Sequence, residues 1–155
     1  MKRLITIVAL LISMAAFPLD VQAAANCTIR TLVGVSFGAY NVFAAAPLTS
    51  TGSVSIRCVG IGAGLSPVSV LLSPGVSGSY QPRKMARSGE TLNYNLFLDP
   101  NGGQIWGDGT SGTQFYRAMV SNNSPVNLTI FGRVPPGQDV AVGTYSDIIV
   151  LTVNF

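Results

Sequence analysis

The feature that most constrains the fold is a repeated alternation between short β-type runs and clusters of turn residues. Runs rich in Val, Ile, Thr, Tyr and Phe are separated by Gly, Pro, Ser and Asn. No stretch shows a sustained helical period with capping residues. This pattern is typical of an all-β protein, because β-branched and aromatic side chains favour strands whereas Gly and Pro favour turns. The predicted strands are residues 28–37, 53–59, 68–72, 91–98, 114–120, 126–134 and 145–155.

Several of these runs alternate polar and apolar residues, which places the apolar side chains on one face of a strand. About seven or eight strands over about 130 residues predict a β-sandwich, with a closed barrel as the alternative. The predicted inward faces are Val54, Ile56 and Cys58; Leu92, Tyr94, Leu96 and Leu98; and Ile149, Leu151, Val153 and Phe155.

The start of the chain has the pattern of a cleavable secretory signal peptide. A positive pair at residues 2–3 precedes an uncharged run at residues 4–17, and residues 21–23 have the spacing that signal peptidase reads. The run has 14 residues, whereas a membrane span needs about 20, so a membrane anchor is the weaker interpretation. We therefore predict a signal peptide over residues 1–23, cleaved there or two residues later. The mature domain, residues 24–155, is expected not to insert into a membrane.

The two cysteines, Cys27 and Cys58, both lie in the predicted mature domain. An exported protein meets an oxidising compartment, which predicts a disulfide between them. Closing a loop of about 30 residues would contribute roughly 2–4 kcal/mol to stability. The alternatives are a metal site or a reactive thiol, but two cysteines without any histidine do not complete the usual structural zinc site.

Composition argues against several classes of function. The chain has no histidine, which is the commonest general base and metal ligand. Charged residues are 10% of the chain, against about 25% on average, so the surface is expected to be unusually neutral. The net charge of +3 comes from few residues and not from a basic patch, which argues against nucleic acid as a partner.

Local motifs that resemble chemical sites are better explained as structure. Residues 34–38 match the nucleophile-elbow pattern G-x-S-x-G, but that elbow needs a strand-to-helix turn and a histidine base. Residues 99–102 resemble the start of a calcium loop, but its twelfth position is Thr110 instead of Glu, which favours a β-turn. No two carboxylates form a recognisable glycosidase pair. We predict a protein that is not an enzyme and has no catalytic, cofactor-binding or metal-binding residues.

The sequence Arg83-Lys84-Met85-Ala86-Arg87 is the one basic cluster. A solvated edge or loop is the simpler interpretation. Contact with an acidic partner is the alternative.

Motifs spread along the chain resemble those of one known family. They are Cys27, Phe37-Gly38-Ala39-Tyr40, Gly52, and residues 54–58, 106–109, 131–138, 143–147 and 150–155. In this order they resemble the spore coat protein U domain family, which includes subunits of archaic chaperone–usher pili such as Csu-type pili. The resemblance covers residues 27–155.

The resemblance implies an incomplete immunoglobulin-like β-sandwich that lacks its last strand. In such subunits a periplasmic chaperone lends a strand, which a neighbouring pilus subunit later replaces. The chain itself supports this expectation, because its last run is strongly apolar and no further strand follows it. The predicted donor-strand groove is the inward face of that run: Ile149, Leu151, Val153 and Phe155.

The segment before Cys27 departs from what a polymerising subunit needs. Three residues follow the predicted cleavage site, and they reach about 10 Å when extended. A donor strand of about nine residues needs about 30 Å. We therefore expect a chain that accepts a strand and does not donate one, which favours a minor or terminal subunit over the repeating shaft subunit.

The expected function is that of a non-enzymatic structural protein, exported through the periplasm to the cell surface or the medium. Its expected partners are a periplasmic chaperone, an outer-membrane usher and other pilus subunits, in a pilus for adhesion and biofilm formation. One alternative is a spore- or cell-coat protein of the same family. The other is a secreted carbohydrate-binding module, for which Trp106 offers a single aromatic platform.

Overall fold

A computed structural model of the chain describes residues 24–155, so the predicted signal peptide lies outside the described residues. These residues form strands, turns and loops without a helix, and hence without a helix long and apolar enough to cross a membrane. The strands are β1 (Asn26–Val33), β2 (Leu48–Val59), β3 (Leu65–Leu72), β4 (Arg83–Arg87), β5 (Glu90–Phe97), β6 (Tyr116–Ser121), β7 (Pro125–Val134) and β8 (Leu151–Asn154).

Two antiparallel sheets pack face to face as a β-sandwich, which confirms the predicted all-β class and rejects the closed barrel. The larger sheet has the order β1-β2-β7-β5-β4, and the smaller has the order β6-β3-β8. The core lies between them, where alternate residues of each strand are buried, as period-two patterning requires. The main core residues are Val54, Ile56, Cys58, Val68, Val70, Leu72, Leu92, Tyr94, Leu96, Trp106, Val120, Ile130 and Val134.

The structure joins Cys27 and Cys58 by a disulfide. The two residues face each other directly in the antiparallel ladder of β1 and β2. The bond therefore fixes the first strand of the larger sheet to its neighbour.

The strand bounds differ from the predicted ones in several places, and three of the differences bear on the groove described below. The sequence predicts that the first strand continues through residues 34–37, but β1 ends at Val33. The last run is predicted to pair over residues 145–155, whereas β8 spans Leu151–Asn154. Beyond it the Val150 N–H donates to the Ser73 hydroxyl, because the Ser73 carbonyl accepts from Arg83. Residues 83–87 are not predicted as a strand, and they form β4, which pairs with β5 at the edge of the larger sheet.

Candidate functional site

An apolar groove of about 980 Å³ opens between the two sheets. Its floor is the inner face of β4, β5 and β7, and two segments of chain bound it as rims. The first rim is residues 34–43, which follow β1, and the second rim is residues 140–151, which lead into β8. The floor residues are Met85, Leu92, Tyr94, Leu96, Ile130 and Val134.

The first rim crosses the inner face of the larger sheet where β2 and β7 each carry a glycine. A Cβ added to Gly52 would lie 2.5 Å from the Val33 carbonyl oxygen, and one added to Gly132 would lie 2.5 Å from Val35 Cγ1. The missing side chains let the rim pack directly on the sheet backbone. Phe37, further along the rim, makes an edge-to-face contact with the floor.

Side-chain hydrogen bonds hold the far end of the first rim. The Tyr40 hydroxyl donates to the Pro135 carbonyl at 2.9 Å and accepts the Gln138 N–H at 3.0 Å. The Gln138 side-chain amide accepts the Asn93 N–H at 2.8 Å and donates to the Asn93 carbonyl at 3.0 Å. It thus takes the place of a neighbouring strand's backbone. The turn after β7 therefore anchors this rim to β5.

The second rim is tied to β4 and β5 at two points. Ser146 and Ala86 exchange two backbone hydrogen bonds, at 2.8 and 3.2 Å. The Tyr94 hydroxyl donates to Asp147 Oδ2 at 2.7 Å. Burial, together with this hydrogen bond, raises the pKa of Tyr94 well above its ordinary value, so the hydroxyl remains a donor.

A third contact holds the start of the second rim. The Glu90 carboxylate accepts the Tyr145 hydroxyl at 2.6 Å and the Ala141 N–H at 3.2 Å. The Tyr145 hydroxyl contributes most to lowering the pKa of Glu90, so this contact favours the ionised carboxylate.

The two rims do not pair with each other. Within residues 24–155, β8 has a single hydrogen-bonded strand neighbour, β3, and no backbone hydrogen bond joins residues 34–43 to residues 140–155. The groove therefore presents unpaired backbone N–H and C=O groups along its edges, above an apolar floor. That combination fits an extended chain, which needs both a ladder and alternate side-chain pockets.

A model of the Spore Coat Protein U domain matches residues 13–152. The chain belongs to the Spore Coat Protein U domain family. Protein U of Myxococcus xanthus is similar to it, at 32% identity over 146 residues that cover 83% of this chain and 77% of that protein.

Among solved structures, the following one is similar to this Spore Coat Protein U domain in fold. It is a chain of the CsuC–CsuE chaperone–tip adhesion subunit pre-assembly complex from the archaic chaperone–usher Csu pili of Acinetobacter baumannii. The two superpose with a TM-score of 0.58 at 24% identity. The match covers 85% of this chain and 40% of that chain, so this protein spans less than half the length of its structural relative.

The structure separates the four groove residues predicted for this Spore Coat Protein U domain. Ile149 and Leu151 line the groove. Val153 packs against the core beyond it, and Phe155 is 53% exposed and lies outside the lining. The sequence does not predict that the first rim, residues 34–43, lines the groove. Residues 34–38 were noted only for their match to the G-x-S-x-G pattern.

The other residues singled out in the sequence have structural roles. The Asp99 carboxylate accepts the N–H groups of Asn101, Gly103 and Gln104, which lower its pKa and close the predicted turn. Trp106 is completely buried, so it offers no platform to a sugar.

Arg83 is also completely buried, so the expectation of a solvated basic edge was wrong at this position. It makes four hydrogen bonds inside the sandwich, to Ser73, Asn95 and Trp106.

Replacing Gly132 with alanine is expected to lower the free energy of unfolding by about 1–3 kcal/mol, the usual cost of overpacking. The added methyl would meet Val35 and Phe37 at 2.5 and 2.7 Å and push the first rim off the sheet. Urea denaturation measures the change. Gly64→Ala is the matched control, because a Cβ there meets nothing within 4 Å. Equal losses in the two variants would contradict this account of the rim.

Proposed function

We propose that this protein is a structural subunit whose groove receives a β-strand from another polypeptide. The observation that carries the proposal is the unpaired edge of β8 beside an open apolar groove. An inserted strand would pair with β8 and place alternate side chains onto the floor formed by β4, β5 and β7. Backbone hydrogen bonds would give affinity, and the pockets would give specificity.

The distribution of charge supports β8 as the edge that receives the strand. The four edge strands are β1, β4, β6 and β8. Three carry basic residues, Arg30 on β1, Lys84 and Arg87 on β4, and Arg117 on β6, and β1 is also bulged near Arg30. Charges and bulges protect edges from pairing with other chains. Residues 148–155 contain no charge, so this edge lacks that protection.

The assembly we propose is a pilus of the archaic chaperone–usher type. A periplasmic chaperone would fill the groove after export, an outer-membrane usher would mediate assembly, and a neighbouring subunit would then supply the strand. Adhesion and biofilm formation would be the activities of the finished pilus. Family membership and the fold of the Csu complex support this proposal.

A coat protein is the second candidate, and membership of the Spore Coat Protein U domain family favours it. In either assembly the role is structural and not enzymatic. Groove filling is common to both, so it is the step to test first.

The test is to fuse a strand of alternating apolar residues after Phe155 through a short flexible linker. The fused strand should restore pairing along β8, so the melting temperature should rise by at least about 5 °C, which for a domain of this size corresponds to between one and two kcal/mol. A fusion of the same composition with the alternation scrambled is the control. An equal melting temperature for the plain domain and both fusions would contradict the proposal.

A further inference from the structure

A second cavity, of about 430 Å³, opens on the outer face of the larger sheet, which is the face turned away from the groove. Its lining side chains come from β2, β5, β7 and the turn after β5: Thr49, Thr51, Phe97, Asp99, Pro100, Phe131 and Arg133. Along β5 and β7 they alternate with the buried residues Leu96, Ile130 and Val134, and so they point away from the core. We call this cavity the outer pocket.

Two phenylalanines form the apolar part of the outer pocket. Phe97 on β5 lies directly opposite Phe131 on β7, and Thr51 on β2 lies opposite Phe131 on its other side. Directly opposed residues have Cβ atoms about 4.5–5.5 Å apart, so the two aromatic side chains adjoin. Further along the ladder of β2 and β7 the outer positions are polar: Ser53, Ser55, Asn127 and Thr129. An aromatic pair with a polar surround, on the face that does not form the core, is typical of a binding site.

Arg133 gives the outer pocket a cation with free donors. Its guanidinium lies 5.7 Å from the centre of the Phe97 ring, and within residues 24–155 it donates to the Pro100 carbonyl at 3.3 Å. A guanidinium has five N–H donors, so most of them can reach a ligand. The acceptors of Asp99 are already taken, because its two carboxylate oxygens accept three backbone N–H groups of its own turn.

The combination of aromatic rings, hydroxyls and a guanidinium selects the chemistry of the ligand. The negative face of an aromatic ring attracts the polarised C–H groups of a sugar ring. A guanidinium binds a carboxylate through two parallel hydrogen bonds. The hydroxyls of Thr49 and Thr51 add groups that both donate and accept, which match the hydroxyls of a sugar better than the side chains of an acidic peptide. The volume of the outer pocket lies within the range of about 300–1,000 Å³ for small-ligand sites.

We propose that the outer pocket binds an acidic saccharide. A sugar ring packs on Phe97 and Phe131, its carboxylate accepts N–H groups of Arg133, and its hydroxyls bond to the two threonines. The larger sheet separates the outer pocket from the groove, so this binding goes beyond the proposed function and does not depend on it. A subunit whose groove is filled keeps the outer pocket open.

Titration calorimetry of the purified protein with matched probes tests the proposal. The probes are a short oligomer of galacturonic acid, the neutral galactose oligomer of the same length, and an oligo-aspartate peptide of the same charge. The pocket variants are Arg133→Gln and Phe131→Thr. The control is Arg117→Gln on β6, outside the outer pocket, where the guanidinium lies 4.7 Å from the centre of the Phe115 ring. It removes the same charge from the same kind of contact.

The wild type should bind the acidic saccharide about tenfold more tightly than either other probe, because that probe alone uses both the rings and the guanidinium. Arg133→Gln should abolish this preference, and Phe131→Thr should weaken both saccharides. Arg117→Gln should bind like the wild type. No binding by the wild type, equal binding of the peptide, or an equal loss in Arg117→Gln would overturn the proposal.

Amide NMR spectra of the wild type give a second test that needs no variant to fold. The acidic saccharide should shift the signals of residues 97–100 and 131–133 and leave those of the second rim, residues 140–151, in place. Shifts confined to the second rim would show binding in the groove and would contradict the proposed site.

Discussion

Replacement of Arg83 with alanine is expected to lower the free energy of unfolding by about 3–5 kcal/mol, because several buried acceptors each lose a charged donor at a cost of about 1–3 kcal/mol. The guanidinium donates to the Ser73 carbonyl at 2.9 and 3.1 Å, to Asn95 Oδ1 at 2.8 Å and to the Trp106 carbonyl at 2.6 Å. It also lies 5.0 Å from the centre of the Tyr80 ring. Its removal leaves a cavity and buried acceptors without their donor.

Chemical denaturation of Arg83→Ala and Lys84→Ala measures this effect. Each substitution removes one positive charge from β4, so a difference between the two variants does not come from net charge. Lys84 is the next residue of β4 and is exposed, so its replacement should change stability by no more than about 0.5 kcal/mol. Arg83→Lys should fall between them, because a single ammonium group cannot span the same three acceptor residues. If the free energies of unfolding of Arg83→Ala and Lys84→Ala agree within error, the hydrogen bonds of Arg83 contribute nothing to stability.

Trp106→Ala is expected to cost about 3–5 kcal/mol, as for other large buried aromatic residues. Trp106 bridges the two sheets, since its indole N–H donates to the Val70 carbonyl on β3 and its backbone N–H donates to the Leu96 carbonyl on β5, both at 2.9 Å. The side chain is completely buried. Its loss therefore removes apolar contact and a link between the layers.

Two further variants identify the source of the Trp106 effect. Trp106→Phe keeps a ring but loses the indole donor, so it should destabilise the domain less than alanine does. Met119→Ala removes a large apolar side chain that is 57% exposed, and it should change the urea midpoint little. If Trp106→Ala shifts the urea midpoint no more than Met119→Ala does, Trp106 does not link the two sheets as described.

The sequence predicts the parts of the fold that depend on local alternation. The inward faces of β2 and β5 follow from period-two patterns such as Val54 and Ile56, because side chains of a strand alternate between its faces wherever the strand lies. Pairing order is not local: β2 lies beside β7, which no run of residues reveals.

Arg83 and the first rim show why the rest was not predictable. A basic residue in a basic cluster is expected at the surface, and its burial depends on Ser73, Asn95 and Trp106, which other elements of the fold contribute. Residues 34–37 look like strand, but Gly132 opens a path across the sheet on a part of the chain nearly 100 residues away. The position of the first rim, and with it one side of the groove, depends on this long-range packing.

The Cys27–Cys58 disulfide also decides how the domain transmits force. It joins the second residue pair of the ladder between β1 and β2, because Cys27 is the second residue of β1. Tension applied to the chain ahead of Asn26 passes through this covalent bond into β2, which lies inside the larger sheet, instead of peeling β1 away one hydrogen bond at a time. Strand β1 is thereby removed from the load path.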